Sequence, residues 1–128
     1  MNASELRGEL VKTAQEVLGG NIGIVEASRA LRSLLIHLPE SADPMFTVIV
    51  AVESDTEDVP TGLLRDKVAP EFRERIDAEM SVYIPEILGA FQEACSNIIS
   101  RYSGASIGPA RAEGEREEAS IDSAASDA

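Results

Sequence analysis

The sequence predicts an all-α protein, a bundle of four to five helices followed by a disordered acidic C-terminal tail. Three observations lead to this prediction. Apolar residues recur at steps of three and four along most of residues 1–103, which is the period of an amphipathic helix. Glycine or proline separates consecutive periodic segments. Residues 104–128 are small or charged and contain almost no large apolar side chain.

The first two predicted helices form a hairpin. Asn2 and Glu5 have the spacing of a capping box, and Gly19–Gly20 ends the first helix. The second helix is predicted to begin with Asn21 as its N-cap and to run to about Leu38. Since the Gly-Gly-Asn junction is short, the two helices should lie antiparallel. Their apolar faces are Leu6, Leu10, Ala14, Val17 and Leu18 in the first, and Ile24, Leu31, Leu34, Leu35 and Leu38 in the second.

Residues 45–52 allow two interpretations. Their sequence, MFTVIVAV, is β-branched and aromatic, which is typical of a strand and would make the fold α+β. Asp43 and Pro44, however, are typical of a helix start, with aspartate as N-cap and proline at the first helical position. No second segment offers a convincing partner strand. A short buried helix is therefore the prediction, and a strand at 45–52 is the alternative.

A loop over residues 53–70, with one helical turn near 63–68, leads to the last predicted helix. Pro70 and Glu71 suit a helix N-terminus. Pro85 lies inside the helix, but the apolar stripe keeps its phase across it, so we expect a kink or two abutting helices. The stripe is Phe72, Ile76, Met80, Tyr83, Ile87, Phe91, Ala94, Ile98 and Tyr102.

The charge balance restricts the class of partner. The net charge is −12, and the helical domain (residues 1–103) and the tail (residues 104–128) are both acidic. A surface of this sign repels phosphate groups, so we expect no nucleic acid and no anionic membrane as a partner. A charged partner should be a basic protein.

The single cysteine, Cys95, allows no internal disulfide, which favours a reducing cytoplasm. The N-terminal residues do not have the pattern of a signal peptide. The longest apolar run, around 48–52, is far shorter than the roughly 20 residues of a membrane span. We therefore expect a cytoplasmic protein.

The densest polar feature is the acidic segment, residues 53–58, with the sequence ESDTED. Alternating acids suggest calcium, but an EF-hand counted from Glu53 would need glycine and glutamate where Asp58 and Leu64 stand. His37 and Cys95 are better interpreted as a helix-end residue and a core residue than as a nucleophile pair. We therefore predict no catalytic residue, no metal and no cofactor, and keep a metal-dependent enzyme at the acidic segment as an alternative.

The stretch VAVESDTEDVPTGLLRDKVAPEF resembles a box found in a family of small bacterial helical proteins. That box runs apolar–Asp–Ser–Glu–Thr–Asp–x–Leu–Pro–x–Gly and is followed by a short segment and a proline-led helix. The matching positions here are Ser54, Asp55, Thr56, Glu57, Pro60 and Gly62, then Pro70 and Glu71. The resemblance spans most of residues 5–102. Glu53 stands where aspartate is usual, Asp55 and Glu57 exchange the usual acids, and Val59 replaces leucine. The resemblance implies no biochemical activity of its own. By analogy with other small acidic helical proteins, it implies an immunity protein that neutralises a bacterial toxin.

Three observations together predict a protein-binding module: the negative net charge, the acidic segment and the absence of recognisable catalytic residues. The most concrete form is an immunity-type inhibitor that occludes the active site of a basic toxin. The predicted partner-binding residues are Glu53, Asp55, Glu57, Asp58 and Asp66. The alternative is a structural or self-associating helical protein, a homo-oligomer whose acidity serves solubility.

Overall fold

The computed structural model describes the backbone of residues 1–107 and the side chains of residues 1–103. This part of the chain is all-α and contains no strand, so the predicted fold class is confirmed and the alternative with a strand at 45–52 is wrong. Two short 3-10 helices accompany four α-helices. The α-helices are α1 (Ala3–Leu18), α2 (Ile24–Leu35), α3 (Thr47–Asp55) and α4 (Pro70–Ile107), and the 3-10 helices are Pro44–Phe46 and Gly62–Lys67.

Helix α1 begins and ends as predicted. The Asn2 carboxamide accepts the backbone N–H of Glu5 at 2.8 Å, while the Glu5 carboxylate accepts the backbone N–H of Asn2 at 2.9 Å, which completes the capping box. At the other end Gly20 has a φ of 75°. Its N–H donates to the Val17 carbonyl, and the Asn21 N–H donates to the Glu16 carbonyl, so a Schellman motif closes the helix.

The prediction for the start of α2 is wrong by two residues. Gly23, not Asn21, is the N-cap, and it makes no side-chain capping bond. The Asn21 N–H is already used in the Schellman motif that ends α1, which explains why the new helix begins later. At the far end α2 stops at Leu35, and single turns continue to Leu38.

Residues 44–55 are helical because Asp43 caps their start. Its carboxylate accepts the backbone N–H of Met45 at 2.9 Å, and Pro44 occupies the first position of the 3-10 helix. Phe46, Ile49 and Val52 are fully buried, so the aromatic and β-branched residues of this segment form the buried face of a helix and not a strand. Helix α3 extends to Asp55, so the loop that was predicted to begin at residue 53 begins three residues later in the structure.

Helix α4 passes through Pro85 as one element of 38 residues. The predicted alternative of two abutting helices is thus not observed. Every member of the predicted stripe is buried or half-buried, as the periodicity indicated. Its last turn reaches Ile107, and the rest of the predicted disordered tail lies outside the described residues. Among those residues, none of the helices is both long and apolar enough to cross a membrane.

Helix α1 lies antiparallel to both α2 and α4, as predicted for the first two helices. Arg7 near the start of α1 contacts Tyr102 near the end of α4, and Leu6 shares a cavity with Leu34 near the end of α2. The main core lies between α1, α2, α3 and the second half of α4, with Leu10, Leu31, Ile49, Phe91 and Ile98 all fully buried. A second, smaller core forms where the first half of α4 meets the start of α2 and the segment before Pro60: Val25, Val59 and Ile76, with Phe72 and Met80 against them.

One end of the bundle is joined by a polar cluster. The Arg7 guanidinium donates two hydrogen bonds of 2.9 Å to the Glu40 carboxylate, and the Tyr102 hydroxyl donates a third at 2.7 Å. These hydrogen bonds, with that of Arg7 the strongest, lower the pKa of Glu40 to about 2. Burial and the same carboxylate raise the pKa of Tyr102 to about 12. The cluster connects α1, the segment after α2, and α4.

Because the pKa of Glu40 is lower in the folded state, its stabilising effect should be present at neutral pH and lost as the pH falls from about 4.5 towards 2. We expect Glu40→Gln to remove this part of the acid sensitivity. Between about pH 6 and about pH 2.5, the unfolding free energy of the wild type should fall on the order of 1–2 kcal/mol more than that of the variant. Urea unfolding followed by circular dichroism measures both. The wild type and the variant share all other carboxylates. Parallel pH profiles of their unfolding free energies would therefore contradict the role given to Glu40.

Candidate functional site

The structure distributes the five predicted partner-binding residues over three consecutive elements. Glu53 and Asp55 lie in the last turn of α3, Glu57 and Asp58 lie in the turn that follows, and Asp66 lies in the second 3-10 helix. Glu53 is half-buried, and the other four are exposed. The first four therefore share one end of α3, and Asp66 follows on a separate element next to Arg65.

None of these five carboxylates forms an ion pair with a cation of the described chain. The three ion pairs there are Arg7–Glu40, Arg65–Asp77 and Arg101–Asp43. Asp55 accepts one hydrogen bond from an uncharged donor, the Tyr83 hydroxyl, at 3.1 Å. The negative charge of the acidic segment is thus open to a charged partner from outside.

The backbone beneath these acids is held by Arg29 of α2. Its guanidinium donates to the carbonyl oxygens of Thr56 at 2.7 Å and Val59 at 2.6 Å, and to the Thr61 hydroxyl at 3.1 Å. A planar guanidinium carries five N–H donors in fixed directions, so one side chain fixes three points of the turn. Hydrogen bonds from a charged donor are stronger than those between neutral groups. Arg29 therefore makes the end of α3 and the following turn a defined surface.

The turn itself contains two residues whose chemistry suits their positions. Thr56 is fully buried, and its hydroxyl donates to the Val52 carbonyl at 2.6 Å. The same carbonyl accepts the backbone N–H of Thr56 at 3.0 Å, so both donors of Thr56 bond back to the last turn of α3. Gly62 has a φ of 58°, a left-handed conformation that costs glycine little. The apolar and turn positions of the box are thus structural, while its acids are on the surface.

Tyr83 connects this end of α3 to the middle of α4. Its hydroxyl donates to Asp55, and burial together with that carboxylate raises the pKa of Tyr83 to about 12. The tyrosine was predicted as a residue of the core stripe, and it is half-buried in that stripe. It also lines an open surface cavity on α4, so one side chain serves both the core and the surface.

This hydrogen bond links residues of two shallow cavities, since Asp55 lines one and Tyr83 lines the other. The first, of about 610 Å³, lies between the end of α2 and α3, with Leu35 and Phe46 at its floor and Asp55 at one end. The second, of about 570 Å³, lies along α4 and is lined by Tyr83, with Arg75, Ala78, Glu79, Val82 and Glu86. We call the two cavities and the hydrogen bond that connects them the Tyr83 surface. Val82 and Ile36 are exposed on it, at 63% and 58% of their full area.

The other residues singled out for chemistry lie elsewhere. Cys95 is fully buried in the main core, and burial raises its pKa to about 11, so it packs as a small apolar side chain. His37 is exposed just beyond the end of α2. Residues 1–107 contain no group of three or more His, Cys, Asp or Glu placed to hold a metal ion.

Sequence reasoning missed Arg29 and the Tyr83 surface. The partners of Arg29 lie 27 to 32 residues later in the chain and are mostly backbone carbonyls, which carry no residue-type signal. The available signal was its position four residues after Val25, at the edge of the apolar face of α2. Comparison with protein-family models, with curated proteins and with solved structures finds no match to this chain.

We predict that Arg29→Ala lowers the free energy of unfolding by about 2–3 kcal/mol, because it removes hydrogen bonds from a charged donor and leaves the buried Thr56 carbonyl without that partner. Urea unfolding measures the loss. Arg32→Ala is the matched control, since Arg32 lies in the same helix and its side chain makes no hydrogen bond or ion pair with the described residues.

The control should change stability by less than about 0.5 kcal/mol. Amide hydrogen exchange should accelerate at residues 56–61 in the Arg29 variant and not in the control. Equal effects of the two substitutions on stability and exchange would show that Arg29 does not hold the turn.

Proposed function

We propose that the protein is a cytoplasmic protein-binding module rather than an enzyme, and that its partner is a basic protein. The observation that carries the proposal is the exposed acidic segment, which has no internal ion pair and lies on a turn held by Arg29. Charges that are not compensated within the fold attract an oppositely charged partner and speed its encounter. A held turn also loses little conformational entropy on binding.

In its most concrete form the proposed module is an immunity-type inhibitor that neutralises a basic bacterial toxin. Many toxins that act on nucleic acid carry a basic active-site surface, and an acidic protein bound there would occlude it. Glu53, Asp55, Glu57 and Asp58 would meet this surface first, since they lie together at the end of α3. Asp66 would extend the contact along the second 3-10 helix.

The test uses the full chain as bait in a lysate of the organism that makes it, followed by binding and activity assays with the purified partner. One variant, Asp55→Lys with Glu57→Lys and Asp58→Lys, reverses the acidic segment. Its control, Glu9→Lys with Glu16→Lys and Glu93→Lys, makes the same change in net charge at exposed acids of α1 and α4.

The wild type and the control should retain one basic partner and inhibit its toxic activity, and binding should weaken as salt is added. The segment variant should bind that partner about 10- to 100-fold more weakly, since it replaces three attractive contacts with repulsive ones. Equal affinity of segment variant and control would rule out contact through the acidic segment. Binding without inhibition would rule out occlusion.

A second candidate function is self-association, favoured by two adjacent leucines. Leu63 and Leu64 in the second 3-10 helix are 81% and 64% exposed, and Leu63 is the most exposed large apolar side chain among the described residues. We expect Leu63→Ser with Leu64→Ser to convert an oligomer to monomer in light scattering coupled to size-exclusion chromatography, if this surface joins copies of the chain. A wild-type monomer at high concentration would remove this candidate.

A further inference from the structure

We infer that the Tyr83 surface is the docking site for a basic amphipathic segment of the partner, with the apolar side chains of that segment in the two cavities and its lysines or arginines against Asp55, Glu79 and Glu86. The inference rests on the proposed function and specifies the partner's chemistry. It also moves the centre of the interface from the acidic segment to the adjoining apolar surface.

The shape of the surface supports an elongated occupant. On α3, Thr47, Ala51 and Ser54 follow one another at steps of four and three along one face, and their small side chains leave the groove towards α2 open. Across the Asp55–Tyr83 hydrogen bond, the second cavity continues along α4 past Val82. Two cavities joined in this way present successive apolar depressions, which suits side chains that repeat along a helix or an extended segment.

The apolar lining indicates that binding here involves more than charge. Ile36 and Val82 expose most of their area, and Val50, which lines the first cavity with Ile36, is half-buried. Covering such side chains removes apolar surface from water, which favours binding independently of salt. Interfaces commonly place an apolar centre inside a polar rim, and the acidic segment would be part of that rim here.

The charges at the edge of the surface select a basic occupant. Asp43, Asp55, Glu79 and Glu86 line the two cavities, against Arg32 and Arg75. Asp43 is already paired with Arg101, whereas the other three acids have no ion pair within the described chain. Glu53, Glu57 and Asp58 adjoin Asp55 at the end of α3 and strengthen the negative field. An acidic or neutral segment would meet net repulsion or no attraction here.

The experiment measures binding of a synthetic amphipathic helix of roughly 14 leucine and lysine residues to the nitrogen-15-labelled full chain by calorimetry and NMR. Ala51→Asp and Val82→Asp place a carboxylate in each cavity. Ser96→Asp is the matched control, since it adds the same charge at an exposed position of α4 outside both cavities. Circular dichroism checks that all three variants keep their helices.

Apolar docking and attraction by charge alone predict changes of opposite sign in the peptide affinity of the cavity variants. If the peptide docks its apolar face, Ala51→Asp and Val82→Asp should each weaken binding about tenfold, although both raise the negative charge that attracts lysine. Ser96→Asp should leave the affinity unchanged or slightly higher. Peptide-induced shifts in the NMR spectrum should concentrate on Ile36, Val50, Ala51, Asp55 and Val82.

Affinities for the cavity variants equal to or above that of Ser96→Asp would overturn the inference, because attraction alone would then account for binding. The triple reversal of Asp55, Glu57 and Asp58 separates this failure from that of the proposed function. If the triple variant loses the peptide while both cavity variants keep it, the acidic contact stands and the apolar docking site is wrong. If the wild-type chain does not bind the peptide at all, the docking site is wrong, while the proposed function is still decided by capture of the partner from the lysate.

Discussion

The turn that follows α3 and carries part of the acidic segment is held by one side chain, the guanidinium of Arg29. Without its bonds to the Thr56 and Val59 carbonyls, the chain that leaves α3 would have few fixed points before the second 3-10 helix. The buried Thr56 carbonyl would keep only the Val59 N–H, at 3.0 Å, and would lose its bond from the charged donor. Because Arg29 uses its charge on backbone oxygens, it organises the acidic segment without neutralising any of its carboxylates.

Most of the cations of the fold, like Arg29, make internal contacts. Six of the nine Lys and Arg residues of positions 1–103 have an internal contact: Arg7, Arg29, Arg65, Arg73, Arg75 and Arg101. They bond to carbonyls and carboxylates or lie over aromatic rings. Arg7, Arg29 and Arg101 connect segments at least 27 residues apart in sequence, whereas the other three make contacts within 12 residues. Most of the 17 acids of this region have no ion-pair partner. Acids outnumber bases by 17 to 9 in this region, so its net charge is negative.

The length of α4 gives the protein two different halves. Its second half fills the main core with Phe91 and Ile98, and the polar cluster around Glu40 ties its end to α1. Its first half rests on a much smaller core around Ile76 and leaves Val82 exposed. Tyr83 lies where the two halves meet.

The sequence by itself determined the helices, most of their ends and the buried faces, because capping residues, glycine, proline and apolar periodicity act over a few residues. The capping box of Asn2, the start at Asp43 and Pro44, and the stripe of α4 all follow from such short-range effects. Only the tertiary structure decided that Arg29 holds the turn, that Asp55 meets Tyr83, and that two cavities adjoin there. Those contacts join residues 27 to 32 positions apart, and packing geometry, to which no local pattern is sensitive, brings them together.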